Sequence, residues 1–214
     1  MALLSDSVRK RVSGLLDKLE RPVRLVLFTQ EVECPHCREA RELAEEVTGL
    51  SDRLNLEVHN LQLDRGKAAE YGVERVPTLC VVGDSDRGIR FNGIPSGYEF
   101  TSLLAAIELS ARADSGLARA TRDKLAGLKT PVDIQVFVTL TCPYCPAMVT
   151  LAHRFAQESP QVSAAAVDAG EFPQLANLHG VMAVPRTVIN HAASLDGVVP
   201  EEKLLEQVLA AAEG

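Results

Sequence analysis

The chain has 214 residues, 46% of them hydrophobic and 24% charged, enough for one large globular domain or two of about a hundred residues each. Its formal net charge is −7 and no basic run appears, which argues against nucleic acid or an anionic membrane as partner, since phosphate binding needs clustered Lys and Arg. No stretch approaches the run of about 18 apolar residues that a membrane span requires.

The start does not read as a signal peptide, because only Ala2-Leu3-Leu4 is apolar and the charges follow it. A cytoplasmic location is therefore expected, where thiols are kept reduced and paired cysteines are more often catalytic or metal-binding than structural.

Ser5 to Leu19 places Val8, Val12, Leu15, Leu16 and Leu19 at helical spacing. Arg24 to Phe28 reads as a short strand leading to Cys34-Pro35-His36-Cys37, and Arg38 to Val47 as a helix behind that motif. Leu54 to Leu63 reads as a second strand and Lys67 to Tyr71 as a short helix. Val76-Pro77 then precedes a strand over Thr78 to Val82, and a hairpin partner and a helix over Glu99 to Ala113 complete the set.

A short polar stretch, Ala113 to Gly116, is expected to separate this set from a second one. The order then starts again with a helix over Leu117 to Leu128 and a strand over Asp133 to Val138. Cys142-Pro143-Tyr144-Cys145 follows, then a helix over Ala147 to Gln157, a strand over Val162 to Asp168 and a short helix over Phe172 to Leu178. Val184-Pro185 precedes a strand over Thr187 to Asn190, a hairpin partner and a last helix over Glu201 to Ala212.

The repetition extends to residue level. Cys34 and Cys142 are 108 apart, and the Tyr71 to Pro77 segment matches His179 to Pro185 at the same offset. In both halves 43 residues separate the first cysteine from the Val-Pro proline. One unit is used twice, with expected bounds 1–114 and 115–214. Strands joined by crossover helices imply an α/β fold in which each unit has a central mixed sheet flanked by helices.

Each CxxC falls where a strand gives way to a helix. Pro35 and Pro143 suit a first helical turn, where the missing N–H would have no partner. Cysteines at i and i+3 lie on one side of that turn, close enough to bridge. Cys34 and Cys142 are expected to face solvent, their thiolates stabilised by free amides and the positive end of the helix dipole. Cys37 and Cys145, set deeper, would resolve a mixed disulfide by attacking the first sulfur.

The intervening residues should tune the two sites differently. His36 favours the Cys34 thiolate, while Glu31 and Glu33 oppose it. The second site has neutral residues upstream and Tyr144 in the middle. The potentials are expected to differ, the first site being the more oxidising because His36 is nearer.

Val76-Pro77 and Val184-Pro185 are candidate cis peptide bonds. Each would bring the backbone of Val76 or Val184 beside the sulfurs, to pair with an extended substrate strand. Gly93 and Gly197, in the following hairpins, would let the substrate backbone approach closely.

Cys34-Pro35-His36-Cys37 with Val76-Pro77, and Cys142-Pro143-Tyr144-Cys145 with Val184-Pro185, look like two tandem thioredoxin-fold units. The layout resembles the glutaredoxin-like protein disulfide oxidoreductases of thermophilic archaea and bacteria, across essentially the whole chain. That resemblance implies dithiol–disulfide exchange on protein substrates, with reduction by a thioredoxin reductase-type partner. No dissociable cofactor is implied, because the dithiols carry the two electrons. Lacking a dinucleotide-binding glycine motif, the chain must exchange electrons with a separate protein.

Two departures stand out. Glu33 and Thr141 replace the tryptophan that precedes the CxxC of thioredoxins, and Phe28 and Val136 stand where thioredoxins keep a buried acid. The proton-transfer group is left unassigned.

Other readings of the cysteines are a single zinc site shared by both pairs, a cluster bridging two chains, or structural disulfides. Zinc would need both motifs side by side, whereas each fits its own complete unit, so no metal is expected. A dedicated electron carrier to a peroxiredoxin, or a redox-inactive peptide-binding module that keeps the prolines, are the rival functions. Cys80 reads as a core residue, and His59, His153, His179 and His191 as surface or packing residues.

Overall fold

The computed structural model describes residues 3–112 and 114–213. Ser5 caps the first helix by accepting a hydrogen bond from the Val8 amide. The first half then runs α1 (Asp6–Leu16), β1 (Val23–Thr29), α2 (Cys37–Thr48), β2 (Leu54–Asn60), α3 (Arg65–Glu70), β3 (Thr78–Val82), β4 (Ile89–Asn92) and α4 (Glu99–Ser110). The second half repeats it with α5 (Arg119–Leu125), β5 (Val132–Val138), α6 (Cys145–Glu158), β6 (Val162–Asp168), α7 (Pro173–Leu178), β7 (Arg186–Ile189), β8 (Ala193–Asp196) and α8 (Glu201–Glu213).

The order is that read from the sequence, with element ends shifted by a few residues. Leu61 to Leu63 leave β2 because local side chains capture the backbone. Asn60 Oδ1 accepts from the amides of Gln62 and Leu63 at 2.9 and 3.0 Å, and Asp64 accepts from the Asn60 amide at 2.7 Å. Ala113, the expected end of the helix before the boundary, lies outside the described residues.

The two expected sheets are one. Its eight strands run in the order β2-β1-β3-β4-β6-β5-β7-β8. Within each half the first two strands are parallel and the hairpin strands antiparallel. The halves join where β4 pairs in parallel with β6, from Ile89 opposite Ala164 to Asn92 opposite Val167. The sheet thus keeps only two free edges, β2 and β8.

The polar stretch at the boundary is not a free linker either. Ser115 is buried and its hydroxyl bonds Glu158, while Arg154 donates to the Ser115 carbonyl at 2.7 Å. Side chains of α6 fasten it down.

One face of the sheet carries α1, α2, α4, α5, α6 and α8 over a continuous apolar core that includes Leu25, Leu27, Phe91, Val136 and Phe155. Losing a fully buried ring such as Phe155 would cost about 3–5 kcal/mol. The opposite face has two smaller clusters. Phe28 and Cys80 pack beside α3, and Phe137 and Val188 beside α7. Cys80 is wholly buried, and burial pushes its thiol pKa up to about 12, so it is inert as a nucleophile.

His153 of α6 is a packing residue at the seam. Its ring meets Phe91 edge-on and its Nε2 lies 3.3 Å from the Arg90 carbonyl. Burial lowers its pKa to about 4, so it is neutral at pH 7.

Candidate functional site

Cys142 follows β5 and Cys145 opens α6, so the strand aims the motif and the helix fixes its spacing. Tyr144 occupies the N-cap with helical φ and ψ and makes no side-chain cap bond. A first-turn amide is therefore left for the sulfur, and the Cys145 N–H donates to Cys142 Sγ at 3.2 Å. Such a bond favours the thiolate over the thiol. The Val184 carbonyl oxygen stands 3.9 Å from the same sulfur, Val184-Pro185 is cis, and Pro185 is buried.

Cys145 is 0% exposed, set deeper than Cys142. Cys142 does not face solvent as expected, for it is only 7% exposed. Its amide donates to the Thr139 carbonyl at 3.0 Å, folding the approach into a tight turn that tucks the sulfur beneath Val184.

The first site has the same parts in a looser setting. Cys34 is half-buried and Cys37 buried, Pro35 and His36 are exposed, and Val76-Pro77 is cis with Pro77 buried. Glu33, just before Cys34, has φ 60°, a left-handed conformation that side chains disfavour and that recurs at functional sites. Here an amide bonds the deeper sulfur, since Gln30 N–H donates to Cys37 Sγ at 3.3 Å. Each cysteine pair is disulfide-bonded within its own unit, with Cα–Cα distances of 5.4 and 5.6 Å. Among the described residues no group of three or more His, Cys, Asp or Glu could hold a metal.

Gly93 and Gly197 differ from expectation and from each other. Both have left-handed φ, and their amides donate to the carbonyls of Pro77 and Pro185 at 2.9 and 2.8 Å. Beside Gly93 the space is already filled, because a Cβ built there would meet Asp168 Cβ at 2.9 Å and Glu171 Oε1 at 3.1 Å. At Gly197 it would meet nothing within 4 Å among the described residues. The reason is topological. β4 is joined to β6, whose outgoing loop covers Gly93, while β8 is a free edge.

Sequence reasoning missed three carboxyl groups at the seam. Glu99, in the first turn of α4, is 1% exposed, and neither of its oxygens has a hydrogen-bond partner among the described residues. Burial, and secondarily the charge of Asp168, raises its pKa to about 7.

Glu99 and Asp168 line a cavity of about 10 Å³ with Gly93, Ile94, Val138 and Leu140, room for about one water. Leu140 lies two residues before Cys142, and its carbonyl accepts from the Tyr98 amide at 3.0 Å. An acid from the first half therefore sits beneath the approach to the second CxxC. Glu171, the third, accepts from the Ile94 amide at 2.7 Å, and burial raises its pKa, as it does that of Asp168. In sequence Glu99 looks like any solvated acid opening a helix, and only the joined sheets bury it.

A model of the thioredoxin domain matches residues 132–210. A crystal structure of a protein disulfide oxidoreductase from Aeropyrum pernix K1 superposes with a TM-score of 0.92 at 35% identity, covering 98% of this chain and 94% of that one. The NTD_N/C domain of the alkyl hydroperoxide reductase of Enterococcus faecalis superposes with a TM-score of 0.88 at 28% identity, over 96% of this chain and 99% of that one.

The F subunit of the alkyl hydroperoxide reductase of Escherichia coli is 25% identical over 188 residues, 88% of this chain but 34% of that protein. The Pseudomonas aeruginosa protein is 23% identical over 206 residues and is covered to 37%, so the chain spans about a third of such relatives. Two CxxC pairs at bonding distance on this fold are those of a thiol–disulfide oxidoreductase. An identity of 35%, held along nearly the whole of both chains, makes this chain a member of the protein disulfide oxidoreductases built from two tandem thioredoxin folds.

Proposed function

We propose that the chain carries electron pairs to or from disulfides in protein substrates, with Cys34 and Cys142 as nucleophiles and Cys37 and Cys145 as resolving thiols. The observation that carries this reading is the second site. An amide is aimed at Cys142 Sγ, a backbone carbonyl stands across from it, and the partner sulfur is buried behind it.

In the reducing direction the Cys142 thiolate attacks one substrate sulfur, the substrate S–S bond breaks, and a mixed disulfide forms as the first substrate thiolate leaves. Cys145, deprotonated, then attacks Cys142 Sγ and releases the second substrate thiolate. Two electrons pass to the substrate, whose thiolates take up two protons, and the site ends as a disulfide.

Electrons would come from a separate thioredoxin reductase-type protein, and we place the reaction in the cytoplasm. The test is reduction of a disulfide-bonded protein with a dithiol donor. Wild type is expected to be active and a variant with all four cysteines replaced by serine inactive. Full activity in that variant would leave a redox-inactive peptide-binding module as the answer.

A second reading, a dedicated electron carrier to a peroxiredoxin, is favoured by the similarity to the F subunit of alkyl hydroperoxide reductases along most of this chain. Dithiol-driven peroxide consumption that needs both this chain and a peroxiredoxin, without reduction of other protein disulfides, would select it.

A further inference from the structure

We propose that the two sites divide their partners: the second accepts extended polypeptide with an apolar side chain beside the disulfide, and the first is closed to such segments. The inference rests on the oxidoreductase reading and adds a substrate class to each of its sites.

The repeat allows the rims to be compared position by position. His36 corresponds to Tyr144, Arg38 to Pro146, Glu74 to Met182 and Arg75 to Ala183, all at an offset of 108. His36, Tyr144, Arg38 and Pro146 lie in or next to a CxxC, and Glu74, Arg75, Met182 and Ala183 lie one or two residues before a cis peptide. Every charged or titratable residue in the first set becomes uncharged in the second, and Arg186, which directly follows Pro185, is paired with Asp196 at 2.7 Å.

The exposure is large on both sides. Tyr144 is 70% and Met182 94% exposed, while the Glu74 side chain is 84% exposed. Two big apolar groups left in water, Tyr144 inside the CxxC and Met182 two residues before Val184, offer contact area to an apolar partner, whereas the first rim sets Val32 among charged residues. Methionine adapts to side chains of varied shape. The charged rim of the first site would have to be desolvated against the same partner.

The backbone edge points the same way. A substrate strand lying along the cis prolyl segment and its hairpin would pass over Gly93 at the first site or Gly197 at the second. At the first, Glu171 already takes the Ile94 amide and Asp168 fills the space over Gly93. At the second, Gly197 is open, and Val198, the counterpart of Ile94, is 50% exposed where Ile94 is buried. The loop of one unit thus occupies the groove of the other. Since β8 is the sheet's free edge, the second groove stays open.

The experiment uses two full-length variants, Cys34→Ser/Cys37→Ser and Cys142→Ser/Cys145→Ser, each with one working site and dithiothreitol as reductant. Substrates are two disulfide-linked peptides, identical except for leucine or glutamate beside the cysteine, and 2-hydroxyethyl disulfide as a probe without a backbone. With only the second site working, the leucine peptide is expected to be preferred about tenfold in kcat/KM, mainly through KM, the effect of one apolar side chain gaining a pocket. With only the first site working, both peptides are expected to react poorly relative to 2-hydroxyethyl disulfide and without preference between them, and peptide turnover there equal to that of the second site overturns the closure.

Met182→Glu, which gives the second site the residue of the first, should bring the leucine-to-glutamate ratio close to one, while Met182→Leu should preserve it. Equal preference at both sites, or a ratio indifferent to Met182→Glu, overturns the proposal. Failure of both single-site variants on 2-hydroxyethyl disulfide would instead overturn the oxidoreductase reading itself, so the two failures are distinguishable.

Discussion

Cys34 and Cys142 occupy matching places after β1 and β5, yet the sheet gives them different neighbours. The prolyl strand of the first site, β3, lies inside the eight-stranded sheet, so the groove beside it faces the other unit. The prolyl strand of the second site, β7, has only β8 beyond it, and its groove faces out. A duplicated unit joined edge to edge cannot keep two equivalent sites. The joined edge closes one groove and carries Glu99 beneath the approach to the other.

The sharpest way to break this comparison is to remove one proposed nucleophile at a time. Cys142→Ser is expected to lower reduction of a protein disulfide by about a thousandfold, as when a covalent nucleophile is lost. Cys34→Ser, with dithiothreitol supplied directly, should keep the greater part of it. Initial rates at fixed dithiol concentration decide the matter, and equal losses would remove the division between the sites.

The groove itself can be probed through stability. Gly93→Ala sets a Cβ 2.9 Å from that of Asp168 at φ +103°, whereas Gly197→Ala at φ +73° meets open space. The first change combines backbone strain with overpacking and should cost about 3 kcal/mol, the second about 1 kcal/mol from strain alone. Urea unfolding of the two variants measures the difference. Equal costs would mean that the seam yields at Gly93.

Most of the fold was legible because its signals are local. The apolar stripe over Ser5 to Leu19, the paired CxxC motifs and the 43-residue interval to each Val-Pro all act within one unit. The seam was not legible. Ile89 to Asn92 looks like the outer strand of a hairpin, and nothing in it distinguishes an edge from a strand that will meet three alanines of β6. The errors trace to that one pairing or to local contacts equally hidden in the sequence. Gly93 is covered and Glu99 is buried because the halves meet, while Ser115 is fastened down by α6 of its own half. Cys142 is buried because of a turn at Thr139 that its threonines do not announce. The two bonded CxxC pairs and both cis Val-Pro bonds needed no tertiary knowledge.

Glu99 provides a pH test of the seam. Its carboxyl is protonated in both folded and unfolded chains below pH 4.5, so it carries no penalty there. Between pH 4.5 and about 7 the unfolded chain ionises while the folded one does not, and stability falls as pH rises. The loss amounts to about 3 kcal/mol at most, since each pH unit between the two pKa values corresponds to about 1.4 kcal/mol. Glu99→Gln should remove this slope, leaving the variant more stable than wild type at pH 8 and similar to it at pH 4. Denaturant midpoints at the two pH values measure it, and parallel pH profiles would show that Glu99 ionises freely in the folded chain.

The smallest expected effect concerns the potentials. His36 in its protonated form would stabilise the Cys34 thiolate and hence the reduced form, so the first site is expected to be the more oxidising. That field is shared, however. His36 is close enough to Asp168 and Glu171 to favour their charged forms, and those carboxylates oppose a nearby thiolate. The difference between the sites should therefore stay within about 30 mV, the equivalent of about 1.4 kcal/mol for a two-electron couple. His36→Ala should narrow it by making the first site more reducing. Redox titration of each single-site variant gives both values. Identical potentials, or a first site made more oxidising by loss of His36, would show that the second unit's carboxylates and not the intervening histidine set the balance at Cys34.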